Sequence, residues 1–195
     1  MVTKAKLTYA DYLASPEGDH HRWEVIDGEW ARTPFPGTNH QLVIGELLMT
    51  VAKYLDGSQQ DGECFTYLAI ILGPHDIYEP DVMILTAQHL REVPDEGHPR
   101  GVPKLCMEVV EGATRAQDRG IKRERYAHFG VQEYWIIDWE EETVEVYALE
   151  DSAYTKLCVA RDADVIPSRA LPGIGLRPGM LFEDLSFWLR SAQGT

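Results

Sequence analysis

The sequence predicts a mixed α/β (α+β) fold with a central β-sheet, flanking helices and an amino-terminal β-hairpin. Its elements follow in the order helix, hairpin, helix, three strands, helix, three strands, which is not the strict alternation of a doubly wound fold. A length of 195 residues predicts a single domain over residues 1–195. Hydrophobic residues make up 44% and charged residues 26% of the chain, which excludes a disordered, collagen-like or coiled-coil protein.

The amino-terminal elements are predicted from caps and periodicity. Thr8 is typical of a helix N-cap, and a short helix follows it. Residues 22–33 predict a hairpin because apolar and polar residues alternate on both sides of Asp27-Gly28, a pair that favours a tight turn. Apolar residues recur with helical spacing over residues 39–55, which predicts the first long helix.

The rest of the chain predicts strands on both sides of one charged helix. Thr114 is a suitable cap for this helix, which reaches Phe129, and Gly130 suits its end. A short amphipathic segment over residues 180–189 closes the chain. β-branched and apolar runs predict strands over residues 63–72, 81–85, 104–110, 132–138, 143–149 and 153–160.

The charge balance limits the possible partners. Thirty-two acidic and eighteen basic residues give a net charge of −14, which excludes a large basic surface for non-specific duplex binding. A local excess of bases nevertheless lies in residues 115–125. We expect Arg115, Arg119 and Arg123 in this segment to contact phosphate groups.

Other function classes are excluded by what the sequence lacks. No run approaches the roughly 18 apolar residues of a membrane span, and residues 1–10 have no secretory signal, so we expect a cytoplasmic protein. The sequence contains no glycine-rich phosphate loop, so it gives no support for a nucleotide cofactor. Cys64, Cys106 and Cys158 are odd in number, far apart and each in an apolar stretch, which favours reduced buried thiols over a disulfide framework or a zinc site.

Two acids stand within apolar strand sequence. Asp81 begins one predicted strand and Glu108 lies inside the next. An ionised carboxylate is costly to bury alone, so each acid either lies at an open sheet end or is neutralised by a cation. Neighbouring strands would let both carboxylates share Mg²⁺ or Mn²⁺, which binds few carboxylates and keeps several waters. The alternative is that each acid only caps a strand end.

Four further polar residues have two interpretations each. Asp118 and Lys122 are four residues apart on one helix face, so they form either a surface ion pair or an ammonium directed at the metal site. His40 either contacts phosphate and carries protons or is a polar residue at a helix end. Glu24 is either an extra metal ligand or a cross-strand surface partner.

An ordered series of motifs resembles a known family. It includes residues 22–29 (Arg-Trp-Glu-Val-Ile-Asp-Gly-Glu), His40, Asp81, residues 107–110 (Met-Glu-Val-Val), Asp118, Lys122, Tyr126, residues 130–138 (Gly-Val-Gln-Glu-Tyr-Trp-Ile-Ile-Asp), residues 171–174 (Leu-Pro-Gly-Ile) and residues 181–182 (Leu-Phe). Over about residues 8–187, the series is similar to that of the bacterial Uma-type restriction endonuclease family. This family is a branch of the PD-(D/E)xK nuclease-like proteins.

The resemblance implies a restriction-endonuclease-like core and a Mg²⁺-dependent DNA endonuclease, with Mn²⁺ as a substitute. Asp81, Glu108 and the carbonyl of Val109 would bind the metal. Lys122 would supply the lysine that commoner nucleases carry two residues after the strand acid, where this chain has Val110. DNA is the implied partner, and the sheet edge predicted over residues 143–160 suits a homodimer.

One departure from the family pattern keeps a second function open. The segment 111–113 (Glu-Gly-Ala) stands where the family has a small hydroxyl residue and a proline. Glu111 would enlarge the metal cluster, repel phosphate or face solvent. This extra acid and the overall negative charge favour the alternative of a non-catalytic nucleic-acid or protein-binding module on a degenerate nuclease scaffold.

Overall fold

Two β-sheets and the helices packed against them form the core, as seen in a computed structural model that describes residues 5–15, 21–91, 93, 97–112, 114–183 and 185. The helices are α1 (Tyr9–Leu13), α2 (Thr38–Gly57), α3 (Ala87–Arg91), α4 (Arg115–Gln117) and α5 (Arg123–Phe129), with a π-helical turn (Asp118–Lys122) joining the last two. The strands are β1 (His21–Ile26), β2 (Glu29–Pro34), β3 (Glu63–Phe65), β4 (Ile70–Gly73), β5 (Asp76–Tyr78), β6 (Val82–Leu85), β7 (Leu105–Val110), β8 (Glu133–Asp138), β9 (Thr143–Glu150) and β10 (Ala153–Arg161).

The smaller sheet has four strands in the order β2-β1-β5-β4. Its hairpin, β1 and β2, turns at Asp27 and Gly28, whose φ angles of 51° and 81° are left-handed as a tight hairpin turn requires. The predicted hairpin is therefore confirmed.

The larger sheet has six strands in the order β10-β9-β8-β7-β6-β3. Its central pair, β7 and β8, is parallel, whereas the other pairs are antiparallel. A parallel pair needs a crossover, and α4, the π-helical turn and α5 provide it. Every residue of β7 and β8 is buried, so polar side chains on these strands face the protein interior.

Helix α2 covers one face of the larger sheet. Val43, Leu47 and Val51 are four residues apart, fully buried, and packed in one core with Ile84 and Met107 of the sheet. Their spacing forms one stripe along the helix. The prediction of a helix over residues 39–55 is confirmed, with one or two more residues at each end.

The predicted strand over residues 63–72 is wrong. The segment divides into β3 and β4, which belong to different sheets. Between them Tyr67 adopts a left-handed φ of 51°, which interrupts the extended chain. Both halves are apolar because each contributes to a core, so the apolar run could not show where the chain changes sheets. Strand β5 and helix α3 were not predicted.

Several smaller expectations have clear outcomes. The three cysteines are free thiols. Cys106 is buried as predicted, whereas Cys64 and Cys158 are only partly buried, so the prediction of burial is wrong for these two. The predicted segment over residues 180–189 lies largely outside the described residues, although residues 178–183 are helical. Among the described residues, no helix combines the length and the apolar character needed to cross a membrane.

The packing of α2 gives a test of the core. We expect Leu47→Ala to lower the free energy of unfolding by about 2–5 kcal/mol, because it leaves a cavity in a fully buried site. Urea denaturation measures this change. Met49→Ala is the matched control on the same helix, where the side chain is 60% exposed, and a loss as large as that of Leu47→Ala would contradict the packing described.

Candidate active site

Asp81 lies immediately before β6 and is buried among three other elements. Its Oδ1 accepts a hydrogen bond from Arg22 Nη1 of β1 at 2.9 Å. Its Oδ2 lies 3.1 Å from His40 Nε2 of α2 and accepts the backbone N–H of Val109 of β7 at 2.9 Å. The Asp81 side chain is therefore positioned by both sheets and by the long helix.

Glu108 lies beside Asp81 because the antiparallel register pairs Val82 with Met107. Its Oε2 is 3.3 Å from the Asp81 backbone nitrogen, which donates to it. Its Oε1 accepts hydrogen bonds from Lys122 Nζ at 3.0 Å and from Tyr126 Oη at 2.9 Å. The two strand acids are thus adjacent, and the crossover helix supplies their nearest cation.

Lys122 is buried at the centre of a cluster of acids, and only 2% of its side chain is exposed. Its ammonium lies 3.0 Å from a carboxylate oxygen of Glu24 and 3.0 Å from one of Glu108. Asp118, one turn earlier on the π-helical turn, is 3.6 Å away. The structure therefore places Lys122 against the sheets and not in a surface ion pair.

The protonation of the cluster follows from burial and charge. Burial raises the pKa of Glu108 and of Asp118, although Lys122 opposes both shifts. Burial alone would lower the pKa of Lys122, but Glu108, Glu24 and Asp118 outweigh it and hold that pKa well above its usual value. The ammonium therefore stays charged.

Asp81 behaves differently from the other buried acids. Burial raises its pKa, but the hydrogen bond and charge of His40 and the charge of Arg22 outweigh burial and lower the pKa to about 2. Asp81 is therefore ionised at neutral pH. An ionised carboxylate beside Glu108 gives the site the negative charge that a divalent cation requires.

A narrow cavity opens beside these carboxylates. Glu111 and Thr114 line it together with Asp81, Glu108 and Lys122. Glu111 is half-buried there, so its side chain is only partly exposed to solvent. The turn after β7 stays close to the site, and this proximity could not be read from the residue types.

The donors fit a hard cation bound by few protein ligands. Among the described residues, no group of three or more His, Cys, Asp and Glu side chains is arranged to hold a metal. Mg²⁺ needs only one or two carboxylates, since waters complete its shell. Asp81 Oδ1 and Glu108 Oε2 each accept one hydrogen bond and therefore keep a lone pair for a metal.

Two of the three predicted phosphate-binding arginines pair with carboxylates of β8, of β9 and of the turn between these strands. Arg115 pairs with Asp138 at 2.9 Å, and it also pairs with Glu140 on the turn that follows. Arg119 pairs with Asp138 at 3.0 Å and with Glu145 at 2.7 Å. The structure thus engages both guanidinium groups in ion pairs within the chain, and their contact with phosphate stays a prediction.

Arg123 differs from the other two arginines. Its guanidinium carbon lies 5.4 Å from the centre of the Tyr147 ring, and it makes no ion pair with a described residue. It is the first residue of α5 and lines a surface groove separate from the cavity that Lys122 lines. Phosphate binding by Arg123 also stays a prediction.

The sequence analysis missed Arg22 as a site residue. Arg22 alternates with Glu24 along β1, and side chains two residues apart in a strand face the same side. That spacing is the feature of the sequence that points to Arg22. It is a weak signal, because a basic residue on a two-stranded hairpin usually faces solvent.

The comparisons with known proteins agree with this fold. A family model named Uma2, described as putative restriction endonuclease, matches residues 9–179. The chain belongs to the Uma2 family. The resemblance inferred from the motif series is therefore confirmed, and membership of the Uma2 family supports a nuclease function.

A solved structure shows the same fold. The crystal structure of a putative nuclease belonging to DUF820 from Anabaena variabilis ATCC 29413 has a TM-score of 0.70 and 20% identity, over 91% of this chain and 98% of that chain. This likeness confirms the restriction-endonuclease-like fold of the Uma2 chain. The type IIG restriction endonuclease BpuSI has a TM-score of 0.41 and 12% identity, over 76% of this chain and 16% of that chain. The search of curated proteins finds no match.

The buried ammonium gives a test of the cluster. We expect Lys122→Met to lower the free energy of unfolding by about 3–5 kcal/mol, because buried carboxylates lose their shared cation. The double variant Glu108→Gln with Lys122→Met should recover part of this loss. Urea denaturation at neutral pH measures both, and Lys53→Met at an exposed position is the control. Equal stability of the Lys122 and Lys53 variants would show that the cluster is not coupled to folding.

Glu145 gives a second test, through pH. Burial raises its pKa, but hydrogen bonds from Lys156, Tyr147 and Arg119 outweigh burial and lower the pKa from 4.5 to about 2. Since the folded state has the lower pKa, the stabilisation is complete above about pH 4.5 and is lost as the pH falls toward 2.

Glu145→Gln should therefore flatten the fall in unfolding free energy below pH 4.5. Denaturation curves recorded across this pH range measure the effect. Glu124→Gln, at an exposed position on α5, is the control and should keep the wild-type profile. A Glu145 variant with the same acid profile as wild type would rule out this ion-pair network as a source of the pH dependence.

Proposed function

We propose that the protein is a metal-dependent endonuclease that hydrolyses phosphodiester bonds in DNA. The observation that carries this proposal is that Asp81, Glu108 and Lys122 meet in one buried cluster beside a cavity. They come from three separate parts of the chain, and two acids with a lysine suit phosphoryl transfer. The family and the fold support the same class of chemistry.

The carboxylates of Asp81 and Glu108 and the main-chain carbonyl of Val109 would hold Mg²⁺, with Mn²⁺ as a substitute. When bound, such an ion polarises a phosphoryl oxygen and lowers the pKa of water. Asp81 is oriented for this task by Arg22 and His40, whose contacts prevent its carboxylate from rotating.

In this proposal Lys122 contacts both the carboxylate of Glu108 and the substrate. Its hydrogen bond to Glu108 Oε1, reinforced by Tyr126, fixes the rotamer of that carboxylate. Its distance of 3.6 Å to Asp118 is too long for a hydrogen bond, so one N–H of the ammonium can meet the attacking water or the phosphate. A buried positive charge there stabilises the negative charge that develops in the transition state.

The proposal includes a homodimer in the cytoplasm with DNA as its partner. Strand β10 forms an edge of the larger sheet and is nine residues long, which is sufficient to pair with a second copy. Phosphate contacts by Arg123 would add to DNA binding, because its guanidinium has no carboxylate partner among the residues described.

A non-catalytic binding module is the second candidate. The position of Glu111 favours it, since this acid lines the cavity and adds negative charge where a phosphate would enter. Calorimetry with Mg²⁺ separates the two candidates. Binding that is abolished by Glu108→Gln supports the endonuclease, whereas a wild-type protein that binds nucleic acid without Mg²⁺ uptake supports the binding module.

Plasmid cleavage tests the proposed activity. With Mg²⁺, we expect wild-type protein to convert supercoiled plasmid to nicked or linear forms, and Asp81→Asn to lower the rate at least 100-fold because the metal loses a carboxylate ligand. Lys122→Ala should lower it similarly. Gel electrophoresis over time measures the rates, and thermal unfolding verifies that each variant is folded.

Glu29→Gln is the control for this assay, because it is an exposed carboxylate on the same hairpin as Glu24. It should cleave at the wild-type rate. Equal cleavage by wild type and all the variants would identify a contaminating nuclease and remove the proposal.

A further inference from the structure

One wall of the cavity contains polar atoms that are buried and unpaired. Arg22, Thr33 and His40 all line the cavity. Arg22 Nε, Thr33 Oγ1 and His40 Nδ1 are each buried and make no hydrogen bond to any of the residues described. Buried polar groups in folded proteins nearly always have a partner, so three such atoms around one cavity indicate a ligand.

The hairpin register brings two of these groups together. Arg22 of β1 is paired with Thr33 of β2, and directly opposed residues in an antiparallel pair project from the same face. Thr33 is 6% exposed and the Arg22 side chain 10%, so both donors are shielded from bulk water. A ligand that meets one of them can therefore meet the other.

The guanidinium of Arg22 has one edge occupied and another available. Its Nη1 donates to Asp81 at 2.9 Å, whereas Nε–H has no acceptor among the described residues. A guanidinium is planar and carries five N–H donors, so it can hold a carboxylate and a second oxyanion at once.

Tyr67 orients this guanidinium. Its ring centre lies 4.8 Å from the guanidinium carbon, and its hydroxyl accepts a hydrogen bond from Gln41 Nε2 at 2.8 Å. Tyr67 has the left-handed φ of 51° that interrupts the chain between β3 and β4. Such backbone conformations are costly for a bulky residue and concentrate at functional sites. Tyr67 is therefore a positioning residue for Arg22.

His40 differs from the two donors. Its Nε2 lies 3.1 Å from Oδ2 of Asp81 and so carries a hydrogen, whereas Nδ1 has no partner among the described residues. His40 therefore holds Asp81, and only Arg22 and Thr33 supply defined donors to the cavity.

We propose that Arg22 and Thr33 form a binding site for the scissile phosphate, which is the phosphodiester group whose P–O bond is hydrolysed. Arg22 Nε–H and the Thr33 hydroxyl would donate to its non-bridging oxygens, in the cavity that Glu108 and Lys122 also line. A tetrahedral oxyanion suits these donors because arginine binds phosphate through charge-assisted, directional hydrogen bonds. This inference rests on the proposed function. It assigns the contact with the scissile phosphate to the amino-terminal hairpin, whereas Arg123 of the crossover helix lines a separate groove and would contact other phosphates of the DNA.

Nuclear magnetic resonance on the full chain labelled with ¹⁵N tests the site, with inorganic phosphate as the probe. Phosphate is titrated at a constant Mg²⁺ concentration and, separately, without Mg²⁺. We expect a saturable shift of the Arg22 Nε–H resonance, which is assigned from its absence in Arg22→Lys. The Nε–H resonance of Arg32, an exposed residue on the same hairpin, should not move.

Two substitutions of Thr33 test the second donor. Thr33→Val replaces the hydroxyl with a methyl group of similar size and should weaken phosphate binding roughly ten-fold or more, as expected for a lost hydrogen bond to a charged group. Thr33→Ser keeps the hydroxyl and should bind within a few-fold of wild type. Thermal unfolding of each variant establishes that it is folded.

The outcomes distinguish this inference from the proposed function. No saturable Arg22 shift in either titration overturns the phosphate site, even for a protein that cleaves plasmid. Equal shifts at Arg22 and Arg32 show non-specific ion binding only and also overturn it. Equal affinity of Thr33→Val and wild type removes Thr33 from the site. Saturable binding at Arg22 in a protein that cleaves no DNA supports the site and counts against the endonuclease.

Discussion

A single buried ammonium, that of Lys122, holds the candidate site together. It lies within 3.0 Å of carboxylate oxygens from Glu24 and Glu108, which belong to different sheets. Removing any one of these charges from a buried cluster leaves the others uncompensated, so the three groups depend on one another. The contact therefore determines how the hairpin, the central strands and the crossover helix fit together.

The crossover helix places this ammonium between the two sheets through an irregular turn. Its middle turn is π-helical, and both Asp118 and Lys122 are buried on it. Single π-helical turns are uncommon in helices and frequently occur at functional sites. The Glu24 oxygen that meets Lys122 also accepts the backbone N–H of Glu79 at 2.8 Å, so a second contact holds this carboxylate in place. The elements that carry the proposed chemistry are thus the same elements that join the two sheets.

Two chemically different kinds of group line the cavity beside this cluster. Asp81, Glu108 and Glu111 present oxygen atoms, which suit a cation, whereas Arg22 and Thr33 present hydrogen-bond donors, which suit an anion. A phosphodiester bound next to a divalent cation needs both kinds of group. The opposed charges explain how a chain with a net charge of −14 can offer a local site for a phosphate.

The sequence by itself determined the hairpin, the long helix α2, the strands β7 to β10 and the charged helix, because periodicity, caps and turn residues are local signals. It also selected Asp81, Glu108 and Lys122 through their ordered motifs, and these three residues lie together in the structure. Only the tertiary structure decided that the run over residues 63–72 divides between two sheets, that Glu111 lines the cavity and that Arg115 and Arg119 pair with sheet carboxylates. Each of these outcomes depends on which distant segment lies opposite a residue, and contacts between distant segments leave no periodic signal in the residues that make them.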